Sequence, residues 1–347
     1  MLNTRSHFMV SVLVAFLIFS LFAGLAVGAI AIPITEVFTS LLNGVTLGEF
    51  TGIEQQIIWQ LRLPRTLMAF VAGAGLALSG MVLQTVTRNP LADPYLFGVS
   101  SGASFAVVLA MVLFNIDLYS QIDLLDVSVM STAAFVGSLG VIALLVFITR
   151  FQSNMHTLVL AGVALSFLFS ALTSFLLYFS DPQAISAILF WTLGSFARTS
   201  IESAALCFSA LIVSFVIVQG YYRQLNTMIL GDETAVTLGV EPKKVRTKML
   251  AVSALMTAVL VANCGGIGFV GLIIPHIVRY FHSQGTFSHP LVVSIVGGIF
   301  MIWVDTLSRV VIENQELPIG IITAAIGSIF FLILLLRNNR HHSAFLK

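Results

Sequence analysis

The segment that decides the fold is Thr66-Leu-Met-Ala-Phe-Val-Ala-Gly-Ala-Gly-Leu-Ala-Leu-Ser-Gly-Met-Val-Leu-Gln-Thr-Val86, which contains no charged residue. An apolar run of about 20 residues is long enough to cross the hydrocarbon core of a bilayer as an α-helix. Within this run Ala69, Gly73 and Ala77 share one helix face, a pattern typical of close helix packing in membranes. We therefore predict a membrane-spanning helix that packs tightly against its neighbours.

The composition of the whole chain extends this prediction to the rest of the protein. Of its 347 residues, 58% are hydrophobic and only 9% are charged, whereas soluble domains are about half apolar and about a quarter charged. The net charge is +1, so the chain has no basic field for a polyanion, and nucleic-acid binding is excluded as a main activity. The chain is predicted to be a polytopic membrane protein.

Ten apolar segments are predicted to span the membrane, the eighth being short for a full crossing. A shorter apolar piece, Ala184–Phe196, is predicted to be an interfacial or re-entrant helix. No linker or low-complexity stretch divides the chain, so the prediction is one all-α bundle over residues 1–347. The predicted spans are Phe8–Ile30, Thr66–Val86, Tyr95–Phe114, Val127–Thr149, Thr157–Phe179, Ser203–Tyr221, Met249–Cys264, Phe269–Phe281, Leu291–Ile312 and Pro318–Leu336.

The distribution of lysine and arginine predicts the orientation of these spans, because cytoplasmic loops carry most of the basic residues. With a cytoplasmic N-terminus, the outer side keeps only Arg62, Arg65, Arg198 and Arg309, and the other basic residues fall inside. The connection Asn115–Asp126 carries acids and no basic residue, as expected for an outer loop. Both termini are therefore predicted to be cytoplasmic.

A polar stripe in the fifth span is the best candidate for the wall of a transport pathway. Its residues recur at helical spacing on one face, although small residues at this spacing also serve helix packing. The candidate lining residues are Ser166, Ser170 and Ser174, with Thr173 beside them.

No energy source for transport is evident within the chain. Ion-coupled carriers hold ionisable groups inside their spans, but here the only such acid is Asp305, which is expected to pair with Arg309 on the same helix face. The glycine-rich Gly265–Gly271 lacks the Gly-Lys-Ser/Thr ending of a nucleotide-binding loop. It is predicted instead to be an unwound join between the seventh and eighth spans.

Covalent chemistry is equally absent from the sequence. Cys207 and Cys264 lie in apolar runs and are predicted to be buried hydrophobes, and histidines such as His276 lack a partner at ligand spacing. We predict no catalytic residue, no metal site and no cofactor bound by this chain. Two alternatives stay open: an ion-coupled secondary transporter and, with less support, an intramembrane enzyme.

The longest inner connection, Tyr222–Lys248, is here called the coupling segment. Asp232 and Glu233 follow Gly231, and Gly239 follows Leu238, so acids begin and glycine ends a predicted short helix. Such a capped helix in a cytoplasmic loop suits docking to a separate motor protein.

Several motifs resemble the permease subunits of type II ABC importers, the FecCD-type family for iron-siderophores, haem and cobalamin. They run in the family's order from near residue 55 to near residue 336. The motifs are Leu61–Thr66, Gly80–Gln84, Arg88–Pro94, Leu96–Gly98, Leu160–Ala164, Trp191–Ser195, Leu230–Asp232, Leu238–Val240, Gly266–His276 and Glu316–Gly320.

The resemblance implies roles for particular residues. Arg62, Arg65 and Arg309 match the arginines that receive glutamates of a substrate-binding protein, a pairing suited to guanidinium and carboxylate groups. The helix that fits a cleft of the ATPase matches Leu230, Gly231, Asp232, Glu233, Ala235, Leu238 and Gly239. The family's cytoplasmic gate matches Asn89, Leu91, Asn154, Met155 and His156.

The resemblance also implies the assembly. A second permease subunit, identical or related, and two cytoplasmic ATPases that bind ATP and Mg are expected. A periplasmic or lipid-anchored substrate-binding protein is expected to deliver an iron chelate, with ferric siderophore ahead of haem and cobalamin. The implied location is the bacterial cytoplasmic (inner) membrane, where the chain moves cargo by alternating access and catalyses nothing itself.

Overall fold

The computed structural model describes residues 4–28, 30–47, 52–114, 124–149, 155–180, 182–312 and 315–343. Every regular element in these ranges is a helix, which confirms the predicted all-α class. The helices are α1 (Thr4–Ala26), α2 (Ile34–Leu47), α3 (Ile53–Gln56), a π-helical stretch (Ile57–Arg62), α4 (Leu63–Thr87), a 3₁₀ turn (Pro94–Phe97), α5 (Val99–Phe114), α6 (Leu124–Thr149), α7 (Met155–Tyr178), α8 (Pro182–Thr192), α9 (Ile201–Ile229), α10 (Asp232–Thr237), α11 (Pro242–Cys264), α12 (Val270–Phe281), α13 (His289–Ser308) and α14 (Ile319–Ser343).

Seven helices in the described ranges are long and apolar enough to cross a membrane. Three shorter apolar helices, Val99–Phe114, Val270–Phe281 and Ile319–Leu334, occupy the positions of three further predicted spans. A multi-pass helical membrane protein is therefore established, whereas a count of ten crossings stays a prediction.

Several helices depart from the predicted boundaries, and α11 begins at Pro242 where the seventh span was predicted to begin at Met249. The sixth predicted span ends at Tyr221, but α9 continues to Ile229 because Tyr222, Leu225 and Met228 are buried in the core. Helix α2 was not predicted at all. It covers the turn after α1, where Val37 is fully buried beside Leu25 and Ile58.

Helix α4 is the centre of the bundle, and nearly all of its residues are buried. It packs against α9, α11, α12 and α13. At Gly73 an added Cβ would lie 2.1 Å from the carbonyl oxygen of Gly297, and at Gly80 it would lie 2.0 Å from that of Gly271. The predicted role of the Gly73 face in close packing is thus confirmed, because no larger side chain fits there.

The predicted unwound join between α11 and α12 is confirmed at residues 265–269. Within the join, the Ile267 amide donates to the Tyr95 hydroxyl at 2.7 Å, in keeping with the need of buried backbone for a partner in a membrane protein. Next to the join, the Ser195 amide donates to the carbonyl of Cys264, the last residue of α11, at 2.9 Å, and the Gly320 amide donates to the Leu193 carbonyl at 2.8 Å. The residues after α8 therefore connect the end of α11 with the start of α14.

Candidate functional site

Two groups of predicted site residues lie at opposite ends of α4. The outer arginine cluster (Arg62, Arg65 and Arg309) lies at its first turn, and the coupling segment contacts Arg88 at its last turn. The words outer and inner follow the predicted orientation.

Arg62 is bound to the end of α1. Its Nη1 donates to the carbonyl oxygens of Leu25 at 2.7 Å and Ala26 at 2.9 Å, and its Nη2 donates to that of Ile30. A cation there satisfies the free carbonyls and complements the negative end of the helix dipole.

Arg65 joins two carboxylates. Its Nε donates to Asp305 Oδ1 at 2.8 Å, and its Nη1 donates to both carboxylate oxygens of Glu316 at 2.8 and 2.9 Å. The Asp305 side chain is 1% exposed, whereas that of Glu316 is 49% exposed. Arg65 therefore ties α4 both to α13 inside the bundle and to an acid at its surface.

Arg309 completes the cluster. Its Nη2 lies 3.0 Å from Asp305 Oδ2, so the predicted pairing of these two residues is confirmed. The same guanidinium donates to the carbonyl oxygens of Val27 at 3.0 Å and Gly24 at 3.1 Å. Asp305 thus lies between two arginines, which balances a charge buried away from water.

The outer arginine cluster points into its own chain. Its three residues are 7, 8 and 9% exposed, and each guanidinium is bound by carboxylates or carbonyls of this chain. The sequence indicated accessible cations at these three positions, but the exposed ionic group in this cluster is Glu316. Docking to a binding protein therefore stays a prediction.

The coupling segment contains the predicted short helix. Helix α10 begins after Gly231, whose φ is +121°, and ends before Leu238 and Gly239, whose φ is +80°. These backbone angles favour glycine at both ends of the helix. Ala235 is fully buried against the bundle, whereas Leu230, Val236 and Leu238 are each at least 60% exposed.

Asp232 connects α10 to the bundle. Its carboxylate accepts hydrogen bonds from Arg88 at the end of α4 and from Arg246 on α11. Glu233 is exposed and makes no ion pair in the described part of the chain.

The predicted gate residues lie partly outside the described residues. Asn154 lies outside the described residues. Met155 and His156 are the first two residues of α7, and their side chains also lie outside the description. Asn89 Oδ1 accepts from the Leu91 amide at 2.9 Å, which closes a tight turn just after α4, and the Leu91 side chain is exposed.

Asp93 follows this turn and was not among the predicted site residues. It caps the 3₁₀ turn by accepting from the Tyr95 amide at 2.7 Å, and its other carboxylate oxygen has no hydrogen-bond partner among the described residues. Burial raises the pKa of Asp93 to about 6.

The predicted lining residues of α7 divide between two environments. Ser170 and Ser174 are exposed, whereas Ser166 and Thr173 are half-buried. The hydroxyls of Ser166, Thr173 and Ser174 donate to carbonyls of their own helix. The large exposed side chains Phe167, Phe175 and Tyr178 share α7 with them, so much of the exposed part of this helix is apolar.

The predicted buried cysteines and lone histidines can be located in the described ranges. No group of three or more His, Cys, Asp or Glu residues there is placed to hold a metal ion. Cys207 and Cys264 are buried free thiols, and His276 stacks edge-on against Tyr280.

Comparison with protein families identifies the chain. The model of the FecCD transport family matches residues 16–337. The chain belongs to the FecCD transport family. This result confirms the resemblance found in the motifs.

The curated relatives of this chain are named for different cargoes. The chain is 36% identical to the molybdate import system permease protein MolB of Haemophilus influenzae, over 91% of each chain. It is 35% identical to the hemin transport system permease protein HmuU of Yersinia pestis, over 82% of this chain and 85% of the relative. It is also 34% identical to the vitamin B12 import system permease protein BtuC of Vibrio cholerae, over 84% and 86%.

Solved structures agree with this assignment. An inward-facing structure described as a metal-chelate type ABC transporter superposes with a TM-score of 0.80 and 33% identity, over 95% of this chain and 99% of the other. PsaBC from Streptococcus pneumoniae shares the fold at a TM-score of 0.54 with 15% identity, over 85% of this chain and 94% of the other.

Proposed function

We propose that this chain is the membrane-spanning permease subunit of an ATP-driven ABC importer that works by alternating access. The observation that carries the proposal is α10, a short helix that leaves Leu230, Val236 and Leu238 exposed beside its two glycine ends. Exposed apolar side chains on a cytoplasmic loop suit a cleft in a partner protein. Membership of the FecCD family supports the same conclusion.

The partner at α10 is proposed to be an ATPase subunit, one for each of two permeases. That subunit would bind ATP and Mg, because this chain lacks the residues that hold nucleotide phosphates. Closure of the ATPases would push on α10, and the bundle would convert that push into a switch between outward and inward openings. The chain itself would carry out no covalent step.

A second permease subunit is proposed to cover the exposed apolar residues of α7. Phe167, Phe175 and Tyr178 are 73, 62 and 83% exposed, so this helix presents a large apolar surface for a neighbouring helix to pack against. Ser170 and Ser174 lie exposed on this helix and would line the route between the two subunits, with Ser166 and Thr173 behind them.

A periplasmic or lipid-anchored binding protein is proposed to dock at the outer end of the bundle. Its carboxylates would compete with Glu316 for Arg65, since Glu316 is the exposed member of that contact. Exchange of one carboxylate for another keeps the buried guanidinium neutralised throughout. The proposed location of the whole assembly is the bacterial cytoplasmic membrane, with both termini of this chain inside.

The proposed cargo is a metal chelate, with ferric siderophore first and haem and cobalamin next. The relatives named as hemin and vitamin B12 permeases support a chelate, and the relative named as a molybdate permease adds an oxyanion to the candidates. A competition panel decides among them: radiolabelled ferric hydroxamate, haem, cobalamin and molybdate are each offered to the cognate binding protein and then to the reconstituted transporter.

Co-purification of the chain with an ATPase subunit tests the proposal. A tagged chain should purify from detergent with an ATPase subunit, and Leu238→Asp should lose that subunit while retaining the fold. Purification of the wild-type chain without any ATPase, from cells that also express the candidate ATPase subunit, would contradict the proposal.

A further inference from the structure

Arg88 has an unusual backbone at the end of α4. Its φ is +51°, and only one other non-glycine residue in the described ranges, Phe269, has a positive φ. A left-handed conformation is sterically unfavourable for a residue with a Cβ. Because any side chain with a Cβ bears that cost here, what distinguishes arginine at this position is the set of contacts that it makes.

Those contacts join three helices. Arg88 Nε donates to the carbonyl oxygen of Met228 in the last turn of α9 at 2.8 Å, and Arg88 Nη2 donates to Asp232 Oδ1 at the start of α10. One guanidinium thus binds the end of α9 and the beginning of α10 to the end of the central helix α4.

A second arginine reaches the same carboxylate from α11. Arg246 Nη2 lies 3.1 Å from Asp232 Oδ2 and 3.3 Å from Asp232 Oδ1. Asp232 therefore lies between two cations from two helices of the core. Its removal would leave two guanidinium groups facing the same space without a counter-charge.

The ion link is the main polar connection of α10. Among the six residues of the helix, only Ala235 is buried, and Glu233, Thr234, Val236 and Thr237 are exposed. The Asp232 and Arg88 side chains are 46% and 40% exposed, so their contact can shift without opening the packed core. A half-exposed ion pair can rearrange during a conformational change more easily than a fully buried one can.

We propose that Asp232, Arg88 and Arg246, here called the Asp232 triad, transmit the movement of α10 to α4 and α11. Arg88 and Arg246 are positioning residues, because Asp232 acts on α4 and α11 through them. Arg88 directly precedes the Asn89 turn that carries Leu91, so the same link reaches the predicted gate. This inference rests on the proposed function, and it names the residues through which that function operates.

The test uses the complete transporter reconstituted in liposomes with its ATPase and binding protein. The variants are Asp232→Asn, Arg88→Gln, Arg88→Lys and Arg246→Gln, with the double variants of Asp232→Asn and each arginine change. The matched control is Lys244→Gln, which removes an exposed ion pair with Glu241 at the start of α11, outside α10 and outside the residues matched to the ATPase cleft. Uptake per ATP hydrolysed, ATPase content and melting temperature are measured for each.

The expected result is uncoupling. Asp232→Asn and Arg88→Gln should lower uptake per ATP about fivefold or more, which is the range of a typical coupling free energy. ATPase content and melting temperature should stay at the wild-type level, and Lys244→Gln should behave as wild type. Adding either arginine change to Asp232→Asn should cause little further loss, because the residues act as one unit. Uptake per ATP of Arg88→Lys should lie between that of the wild type and that of Arg88→Gln, since one ammonium group cannot replace both contacts of the guanidinium.

Three results would overturn the proposal. The first is wild-type uptake per ATP in both Asp232→Asn and Arg88→Gln. The second is a double variant whose loss of uptake per ATP is the product of the losses in its two single variants. The third is a loss of uptake per ATP that parallels a loss of melting temperature or of ATPase content. A wild-type chain that transports without any ATPase would instead refute the proposed function, so the two failures are distinguishable.

Discussion

The charged side chains at the two ends of α4 differ in how deeply they are buried. At the outer end, Arg62, Arg65 and Arg309 are buried and bound by their own chain. At the inner end, the coupling segment exposes apolar side chains and holds Asp232 in a half-exposed ion link. The apolar side chains of the inner end are therefore exposed in the chain by itself, whereas the outer cations would become available only through exchange of their internal partners.

The difference should be visible in energetics. Breaking a buried ion pair leaves an uncompensated charge and costs about 3 to 5 kcal/mol, whereas an exposed pair contributes about 0 to 1 kcal/mol. Changes at the outer end should therefore act mainly on stability, and changes at the inner end mainly on assembly and coupling.

The largest effect is expected at Asp305. Asp305→Asn removes the charge between Arg65 and Arg309, so the free energy of unfolding should fall by about 3 to 5 kcal/mol. Thermal unfolding in detergent measures it. Glu316→Gln is the matched control, because it removes the exposed partner of the same Arg65 and should cost about 1 kcal/mol or less. Equal effects of the two changes would remove the contrast between buried and exposed partners.

The next effect is expected at Leu238 on the inner end. Leu238→Asp places a charge on the apolar docking surface, so affinity for the ATPase should fall about tenfold or more. Melting temperature should not change, because this side chain is 60% exposed. Phe287→Asp, a change at an exposed aromatic residue of the α12–α13 loop, is the control and should retain the ATPase. If both variants bind the ATPase like wild type, α10 is not the docking site.

A pH effect is expected at Asp93, the buried acid near the inner end of α4. Its pKa is about 6 in the folded chain and about 4 for a free side chain, so the folded state binds the proton more tightly. Stability should therefore fall as the pH rises through this window, and the chain should gain about 1 kcal/mol between pH 7 and pH 5.

The variant Asp93→Asn isolates that effect. An asparagine retains the cap on the Tyr95 amide and carries no charge, so its stability should lack this pH dependence and should exceed that of the wild type at pH 7. Thermal unfolding at the two pH values makes the comparison. Parallel pH curves for the two proteins would show that Asp93 does not titrate in this range.

The smallest effect is expected at Glu316 in docking. Glu316→Gln should strengthen binding-protein affinity up to about fivefold, because it removes the competing carboxylate from Arg65. Titration of the reconstituted transporter with its binding protein measures the change. Weaker docking of this variant would mean that Glu316 itself contacts the partner, and the proposed exchange would be wrong.

Local patterns in the sequence predicted part of this arrangement. The spacing of Asp305 and Arg309 predicted their ion pair, and the glycines around Asp232 predicted α10. The glycine-rich stretch after Cys264 predicted the unwound join. Each of these features depends on residues that are close in sequence, so helix periodicity and end signals are sufficient to find it.

Contacts between distant residues could not be predicted in the same way. Arg65 and Glu316 are 251 positions apart, and Arg88 and Asp232 are 144 apart. The sequence predicted on which side of the membrane these charged residues lie, but only the packing of α4 against its neighbours brings each pair together. The same limit explains why the arginines were expected to be accessible, since nothing local shows that α1 ends over Arg62.

The central claim is that a separate ATPase drives this bundle from its inner face. The most direct measurement is cargo uptake into liposomes that hold the purified chain, with or without the ATPase, in the presence of ATP or of a proton or sodium gradient. The account predicts uptake only with the ATPase, ATP and the binding protein together, and none with a gradient alone. Gradient-driven uptake by the chain without its ATPase would contradict the account.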